Sequence, residues 1–331
     1  MKYDMKKLYT LIVLLGLSNI LFAQQDPHFT QYMFNYMNYN PAAAGTEGVT
    51  KVNLAYRNQW TGYQPTINNG VSGGAPQTQF IGISAPLLTQ RMGIGFQVVN
   101  DRLGTMNRLD FLVNASYQID IAKNKLSIGA RTGFISRGFD LRNLVFADPE
   151  DPVAQEESLA EVRPELGLGL YWRAKNYYAG VSFNHLLTNE NLAIGGVTFR
   201  TPLTTHAYGF VGYEQEILNS WIISPSIMVK TDLNTYSFDV GVVASSDDKL
   251  YAGVTWRESE AINLLVGYNV FDGAKKLNSQ WLRVSYSFDF VITERQAKQA
   301  TSHEIMLSYI LPNPKSSEYR PERTPRFPTG G

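Results

Sequence analysis

The chain has no cysteine, and charged residues are scarce in it. Its 331 residues include 29 basic and 29 acidic side chains, so only 18% are charged and the net charge is zero. The absence of cysteine excludes disulfides, thiolate metal ligands and thiol nucleophiles. The balanced charge does not point to nucleic acid as a partner. Tyr, Phe and Gly are frequent instead, which favours many strands joined by tight turns.

Long hydrophobic runs are confined to residues 1–23, which are predicted to be a secretory signal peptide. Three lysines within residues 2–7 precede an apolar run at 8–17, and Ala23 precedes Gln24. An uncleaved anchor helix is the alternative, but the apolar run is short for a membrane span. Only helices and closed barrels satisfy their backbone groups in lipid. A mature chain embedded in a membrane therefore has to be a β-barrel.

Alternation of apolar and polar residues recurs along residues 49–311 and predicts about fourteen β-strands. The clearest run is 109–121, which has the length of a tilted membrane-crossing strand. An even number of such strands is typical of bacterial outer-membrane proteins. The predicted fold is an all-β transmembrane antiparallel barrel. The predicted strands are 49–60, 77–87, 91–100, 105–121, 125–137, 164–173, 176–186, 204–217, 220–231, 235–245, 249–257, 261–271, 279–290 and 302–311.

The polar face of these strands carries charges of both signs, which favours a membrane barrel over a soluble β-sandwich. In a barrel such a face lines a lumen, where opposite charges can pair or remain hydrated. The apolar face has aromatic residues near strand ends, Trp60, Tyr117, Trp172 and Trp256, as expected for interfacial girdles. The residues predicted to line the lumen are Arg57, Arg91, Asp110, Asp120, Arg131, Glu165, Arg173, Lys230, Asp239, Arg257 and Arg283.

The predicted connections fall into two sets. One set consists mostly of short turns, and the other contains the long loops. Short turns at 122–125, 174–176, 218–220 and 245–249 are predicted to be periplasmic. Long loops at 61–75, 138–163, 187–203 and 290–301 are predicted to be extracellular, and an even strand number then places both termini in the periplasm. Loop 138–163 is acidic. We favour a solvated loop, with an acidic gate or a docking loop for a basic partner or Ca²⁺ as the alternative.

The two segments that flank the predicted barrel at 49–311 differ from its strands. In residues 24–48, aromatic and Met residues alternate with Asn and Gln, and charge is almost absent. Such a segment is too polar for a membrane helix and too aromatic for a flexible tail. We predict that it lies in or under the lumen; an ordinary first strand is the alternative. The proline-rich tail 312–331 is predicted to be periplasmic, as a frayed end or an extended arm that binds a partner.

Catalytic and cofactor motifs are missing from the sequence. Gly82, Ser84 and Pro86 have the spacing of a nucleophile elbow but lack its last glycine. No phosphate-binding loop or dinucleotide fingerprint occurs, and His303 has no second histidine at the spacing of a zinc motif. The four histidines are scattered. We therefore expect neither enzymatic activity, nor a cofactor, nor a metal site.

Several motifs occur in this chain in a distinctive order. The run QDPHFTQYMFN at 25–35 precedes YNPA at 39–42 and Gly45, and YRNQW follows at 56–60. Further motifs lie at 74–79, 93–95, 100–104, 180–186, 225–226 and 303–309. Together they resemble the PorP/SprF family, outer-membrane proteins of the type IX secretion system of Bacteroidetes, over essentially the whole mature chain. The proline-rich tail is longer than a barrel needs.

The resemblance implies a non-enzymatic barrel that supports export or surface anchoring of proteins carrying a type IX C-terminal domain, including gliding adhesins. It implies three partners: that cargo or a large surface adhesin, a peptidoglycan-binding OmpA-like periplasmic protein, and outer-membrane lipids. The alternatives are an outer-membrane channel or porin for small solutes or hydrophobic compounds, and a soluble periplasmic β-protein. The predicted partner-binding residues are Asp26, Pro27, Phe29, Gln31, Tyr32, Phe34, Asn40, Pro41, Arg57, Trp60, Asp148, Glu150 and Asp151.

Overall fold

Fourteen antiparallel β-strands form a closed barrel in the computed structural model of the chain. Consecutive strands pair with each other, and the ring closes where the first strand pairs with the last. The predicted fold class and strand number are therefore confirmed. The strands are β1 (Lys51–Asn58), β2 (Gln77–Pro86), β3 (Met92–Leu103), β4 (Met106–Ile121), β5 (Asn124–Asp140), β6 (Ser158–Arg173), β7 (Tyr177–Asn184), β8 (His206–Tyr213, continued by Gln215–Glu216), β9 (Trp221–Thr231), β10 (Tyr236–Ser246), β11 (Leu250–Arg257), β12 (Ala261–Asn269), β13 (Trp281–Val291) and β14 (Thr301–Ile310).

The structure describes most of the chain from residue 26 onward. Outside the barrel strands it contains three short 3₁₀ turns and two small hairpins. Among the described residues, no helix is long and apolar enough to span a membrane. The described ranges are 26–63, 66–67, 71–72, 74–87, 91–141, 158–187, 192–194, 197–199, 203–217, 221–246, 249–270, 281–293 and 298–311.

Alternation along each strand sorts the side chains between two environments. In β4, Phe111 and Tyr117 point outward and are about half exposed, whereas Asp110 and Asn114 point inward and are buried. Successive side chains of a strand lie on opposite faces of the sheet. The sequence pattern therefore places an apolar band on the outside of the barrel and polar groups inside it, as in outer-membrane proteins.

Two details of the sequence-based prediction are wrong. Arg91 and Asp120 do not line the lumen: they pair with each other at 3.6 Å, and their side chains are 63% and 53% exposed. Loop 138–163 is also shorter than predicted, because β5 extends to Asp140 and β6 begins at Ser158. The acidic residues near the start of β6 concealed its alternation, since Glu161 points inward beside Arg163 while Val162 points outward.

The two ends of the barrel carry different connections. At one end, which we call the loop end, β1 finishes at Asn58 opposite His303 of β14. At the other, which we call the turn end, β1 starts at Lys51 opposite Ile310. The connections predicted to be long, 61–75, 138–163, 187–203 and 290–301, all join strands at the loop end.

Candidate functional site

Residues 26–48 occupy the interior of the barrel, and we call this segment the plug. It runs from the loop end, where Asp26 contacts Tyr208 of β8, to the turn end, where Glu47 contacts Lys51. Its aromatic and Met side chains are buried in one hydrophobic cluster with inward-facing barrel residues. The non-strand segment predicted for the lumen therefore lies inside it, and the alternative of an ordinary first strand is wrong for the described residues.

The first described residue of the plug, Asp26, is bound by three barrel side chains at the loop end. Its carboxylate accepts hydrogen bonds from Arg108 at 2.7 Å, His185 at 2.9 Å and Tyr208 at 2.5 Å. The other ring nitrogen of His185 lies 2.6 Å from Glu165. These groups come from β4, β6, β8 and the residue after β7, so one carboxylate joins the plug to several parts of the barrel wall.

The electrostatics of this cluster favour its charged forms. Burial alone would raise the pKa of Asp26, but His185 and Arg108 hold it well below its usual range. Burial acts to lower the pKa of His185, but the carboxylates of Asp26 and Glu165 raise it to about 9. The imidazole therefore carries a proton at neutral pH and bridges the two carboxylates.

A second charged anchor holds the backbone of the plug at Thr30 and Gln31. The two amides donate to the carboxylate of Glu304 in β14, at 2.7 and 3.1 Å. Arg57 pairs with Glu304 at 3.1 Å and with Asp289 of β13 at 2.6 Å. The Thr30 hydroxyl lies between them, since it accepts from Arg57 and donates to Asp289. All three charged side chains are buried, so each depends on the others for compensation.

Aromatic side chains fill the middle of the barrel. The ring of Tyr36 stacks on Phe210 of β8 at 4.2 Å between centroids, and its hydroxyl contacts that of Tyr178 at 2.8 Å. Farther around the wall, the guanidinium of Arg283 lies 4.2 Å from the ring of Phe34 and 4.0 Å from that of Tyr251. Cation–π contacts of this kind are strongest where the cation is desolvated. The aromatic residues of the plug thus pack against a wall that is polar in part, as their composition predicted, and that also contributes aromatic and aliphatic side chains.

Glycines on the barrel wall make room for the last part of the plug. A Cβ atom on Gly93 would lie 2.0 Å from the carbonyl oxygen of Ala44, and one on Gly129 would lie 2.3 Å from the backbone nitrogen of Ala42. A Cβ atom on Gly169 would lie 2.0 Å from Asn40 Oδ1. Backbone approaches this close require glycine.

Hydrogen bonds to the wall complete the turn-end half of the plug. Asn40 accepts from the Ala42 amide and so caps the turn Pro41–Ala43, while its own amide group donates to the carbonyl of Leu170 at 2.8 Å. Arg131 donates to the carbonyls of Met37 and Asn38 at 2.6 and 2.9 Å. The backbone of a segment without strand pairing is thereby satisfied by side chains of the barrel.

The structure brings most of the predicted partner-binding residues together, although whether they bind a partner stays a prediction. Phe29, Gln31, Tyr32, Phe34, Asn40, Pro41 and Arg57 are buried in the plug and its anchors, and Asp26 and Pro27 are largely buried there. Trp60 lies apart at the loop end, where its amide donates to Ser302 and its ring faces Tyr63. The acidic residues Asp148, Glu150 and Asp151 lie outside the described residues.

Sequence reasoning missed a cluster of histidines at the loop end. His185 follows β7 and His206 is the first residue of β8, yet their rings lie 5.4 Å apart, beside Asp26. Nothing in the spacing of these three residues indicated the contact. The pairing of β7 with β8, which sets Asn184 opposite His206, was the signal that could have found it.

A comparison with protein families identifies the chain. Its fold and the apolar exterior define it as an outer-membrane β-barrel protein. The family described as type IX secretion system membrane protein PorP/SprF matches residues 21–309, and the chain belongs to that family. It is therefore a membrane component of the type IX secretion system. Among curated proteins, no sequence matches the chain significantly.

Solved structures resemble the chain in fold. The toluene transporter TbuX of Ralstonia pickettii has a TM-score of 0.52 and 10% identity, over 83% of this chain and 92% of its own. The monoaromatic hydrocarbon channel CymD has a TM-score of 0.52 and 11% identity, over 85% of this chain and 93% of its own. At such identities the likeness extends to the barrel architecture alone.

Proposed function

We propose that this protein is a closed, non-enzymatic scaffold of the type IX secretion system rather than an open pore. It supports export or surface anchoring of proteins that carry a type IX C-terminal domain. The cargo binds at the loop end, which faces the cell exterior, and the turn end faces periplasmic partners such as a peptidoglycan-binding OmpA-like protein. Both the cargo and this partner are expectations from the family, as is the role of a gliding adhesin as cargo.

The occupied lumen is the observation that carries the proposal. At the loop end the plug meets the wall through the ion pair of Asp26 with Arg108 and through the amides of Thr30 and Gln31, which donate to the buried carboxylate of Glu304. At the turn end it meets the wall through close backbone contacts. A pore for solutes needs a continuous water-filled path, whereas a scaffold gains rigidity from a filled interior. The plug also spans the distance between the two ends of the barrel, so it offers a physical connection between a cargo at one mouth and a periplasmic partner at the other.

The test is affinity purification of the protein from outer membranes in mild detergent, with identification of what copurifies. We expect a large surface protein with a type IX C-terminal domain, together with a peptidoglycan-binding periplasmic protein. A variant that lacks residues 26–41 should still form a barrel, as judged by heat-modifiable migration in gels, but should lose the cargo. The control is Arg91→Ala, which removes only an exposed ion pair. Unchanged cargo recovery with the deletion variant would contradict the proposed role of the plug.

The second candidate function is a channel for small solutes or hydrophobic compounds. It is supported by the fold shared with TbuX, a toluene transporter, and with CymD, a monoaromatic hydrocarbon channel. In that case the plug would have to move for passage. Recovery of the barrel alone, together with conductance by the intact protein, would favour the channel over the scaffold.

A further inference from the structure

We propose that Asp26, His185 and His206 form a binding site for a divalent transition metal ion of the Zn²⁺ type, which fastens the start of the plug to the barrel. One potential ligand atom from each of the three residues lies within 4.8 Å of the other two. Two imidazoles and one carboxylate are a ligand set that zinc and its neighbours in the first transition row accept. The site is independent of the proposed export function.

The hydrogen bonds of the two histidines leave one ring nitrogen of each for a metal ion. His206 Nδ1 lies 2.9 Å from the carbonyl oxygen of Thr204, which can only accept, so this nitrogen carries the proton and Nε2 carries the lone pair. His185 Nδ1 lies 2.6 Å from Glu165, which leaves Nε2 directed at Asp26. Metal-binding histidines usually donate their second nitrogen to a carboxylate or a carbonyl, and both arrangements occur here.

The lone pair on His206 Nε2 receives no hydrogen bond from the described residues. The side chain is only 5% exposed, and its Nε2 atom has no hydrogen-bond partner there. Buried polar atoms are nearly always paired, so an orphan of this kind needs an explanation. A metal ion between His206, His185 and Asp26 would supply the missing partner.

The charges around the cluster are compatible with a cation. Arg108 contacts Asp26, but its guanidinium is also bound at two points by the carboxylate of Asp110, which offsets its charge. In the absence of metal, a proton on His185 Nε2 occupies the space beside Asp26. A divalent ion would replace that proton, which leaves to the solvent, and the imidazole would bind as the neutral form.

Space for a fourth ligand lies next to the cluster. A small cavity is lined by Asp26, His28, His206, Tyr208, Lys230, Thr231, Asp232 and Thr235. The charge of Lys230 is offset by its ion pair with Asp239 at 2.7 Å. A water molecule there would complete a tetrahedral coordination shell. The bound ion would join the plug at residue 26 to both ends of the β7–β8 connection, and it would therefore oppose withdrawal of the plug from the loop end.

The experiment measures Zn²⁺ binding to the full mature chain, refolded in detergent with a tag that lacks histidine and freed of metal by a chelator. Isothermal titration calorimetry should give one Zn²⁺ per barrel, and Co²⁺ should produce the visible absorption of a tetrahedral site. His206→Gln should weaken binding at least about tenfold, and Glu165→Gln should weaken it about 10- to 100-fold by releasing the His185 ring.

The matched control is His303→Gln, which removes a histidine that contacts Tyr286 on another part of the barrel. It should bind Zn²⁺ as the unmodified chain does. Heat-modifiable migration in gels establishes that each variant has folded. The proposal is overturned if the unmodified chain binds Zn²⁺ no more tightly than His206→Gln, or if His303→Gln is the variant that loses the ion.

Discussion

The two halves of the plug are held in the barrel by different forces. Residues 26–31 are fixed by charge, through the carboxylate of Asp26 and the buried ion pairs of Arg57 with Asp289 and Glu304. Residues 36–45 carry no charged side chain. They are fixed by close approach to wall glycines and by hydrogen bonds that involve only their backbone and neutral side chains, including those that Arg131 donates to the carbonyls of Met37 and Asn38. Charge acts over a distance and depends on protonation, whereas steric fit does not. A change in protonation can therefore release residues 26–31 from the wall, whereas residues 36–45 set the position of the plug.

We expect the largest effect from removing one of the charges that fix residues 26–31. Arg57→Ala leaves two buried carboxylates, Asp289 and Glu304, without their cation, and losing one partner of a buried pair typically costs about 3–5 kcal/mol. The free energy of unfolding, measured with urea in detergent, should fall by about that amount. The matched control is Arg91→Ala at the exposed pair with Asp120, which should cost about 1 kcal/mol or less. Equal losses from both variants would mean that the interior pair is hydrated and the plug is not held by it.

A bulky residue in place of one of the wall glycines should disrupt the packing of residues 36–45. Gly129→Val places side-chain atoms where the backbone of Ala42 lies, so the plug has to shift, at a cost of about 1–3 kcal/mol. Limited proteolysis should then cleave within residues 36–45, which are buried and should resist protease in the unmodified protein. Gly209→Val is the control, because a Cβ atom at Gly209 meets nothing within 4 Å. Full protection of the segment in Gly129→Val would contradict the steric account.

A double-mutant cycle sharpens the comparison within the packed half. Asn40→Ala removes a turn cap and a hydrogen bond to Leu170, with an expected loss of about 0.5–2 kcal/mol. Gly169→Ala should also destabilise, since its Cβ atom would meet Asn40 Oδ1. In the Asn40→Ala background Asn40 Oδ1 is absent, so that clash cannot occur. The loss of stability in the double variant should therefore be smaller than the sum of the two single losses, by about 0.5 kcal/mol or more. Additive losses would mean that Asn40 and residue 169 do not contact each other.

We expect the smallest effect from a substitution in a turn outside the plug, which changes how stability depends on acid. Burial acts to raise the pKa of Asp232, but hydrogen bonds from the amides of Thr235 and Asn234 lower it below its ordinary value. A lowered pKa in the folded state adds stability that is full above about pH 4 and is lost as the pH falls further. Asp232→Asn should therefore remove part of the acid sensitivity of unfolding without exposing residues 26–45 to protease. Release of the plug by this substitution would show that the two regions are coupled.

The barrel could be predicted from the sequence, because its pattern is local. Every strand alternates with period two, and the outward residues are apolar wherever lipid is expected, so fourteen strands were found with few errors at their ends. The errors arose where that pattern fails. Arg91 lies at a rim, where either face meets water, and the start of β6 has inward acids that resemble a loop.

The contacts of the plug could not be predicted, because they join residues far apart in the chain. The odd composition of residues 24–48 indicated a segment that packs against polar walls, and the lumen was a sound expectation. Which wall residues it meets depends on the closure of the ring, which brings Glu304 beside Thr30 and His185 beside Asp26. Single residues such as Gly129 or His206 have no signal of their own until the neighbouring strand is known.

The conductance of single barrels in a planar lipid bilayer tests the central claim most directly, that the plug closes the lumen. The unmodified protein should give no stable open-channel current, and the variant that lacks residues 26–41 should give large and steady openings. Arg91→Ala, which leaves the plug intact, should remain closed. Open-channel currents of the same size from the unmodified protein and the deletion variant would contradict the account, since they would mean that the plug does not occupy the lumen in the membrane.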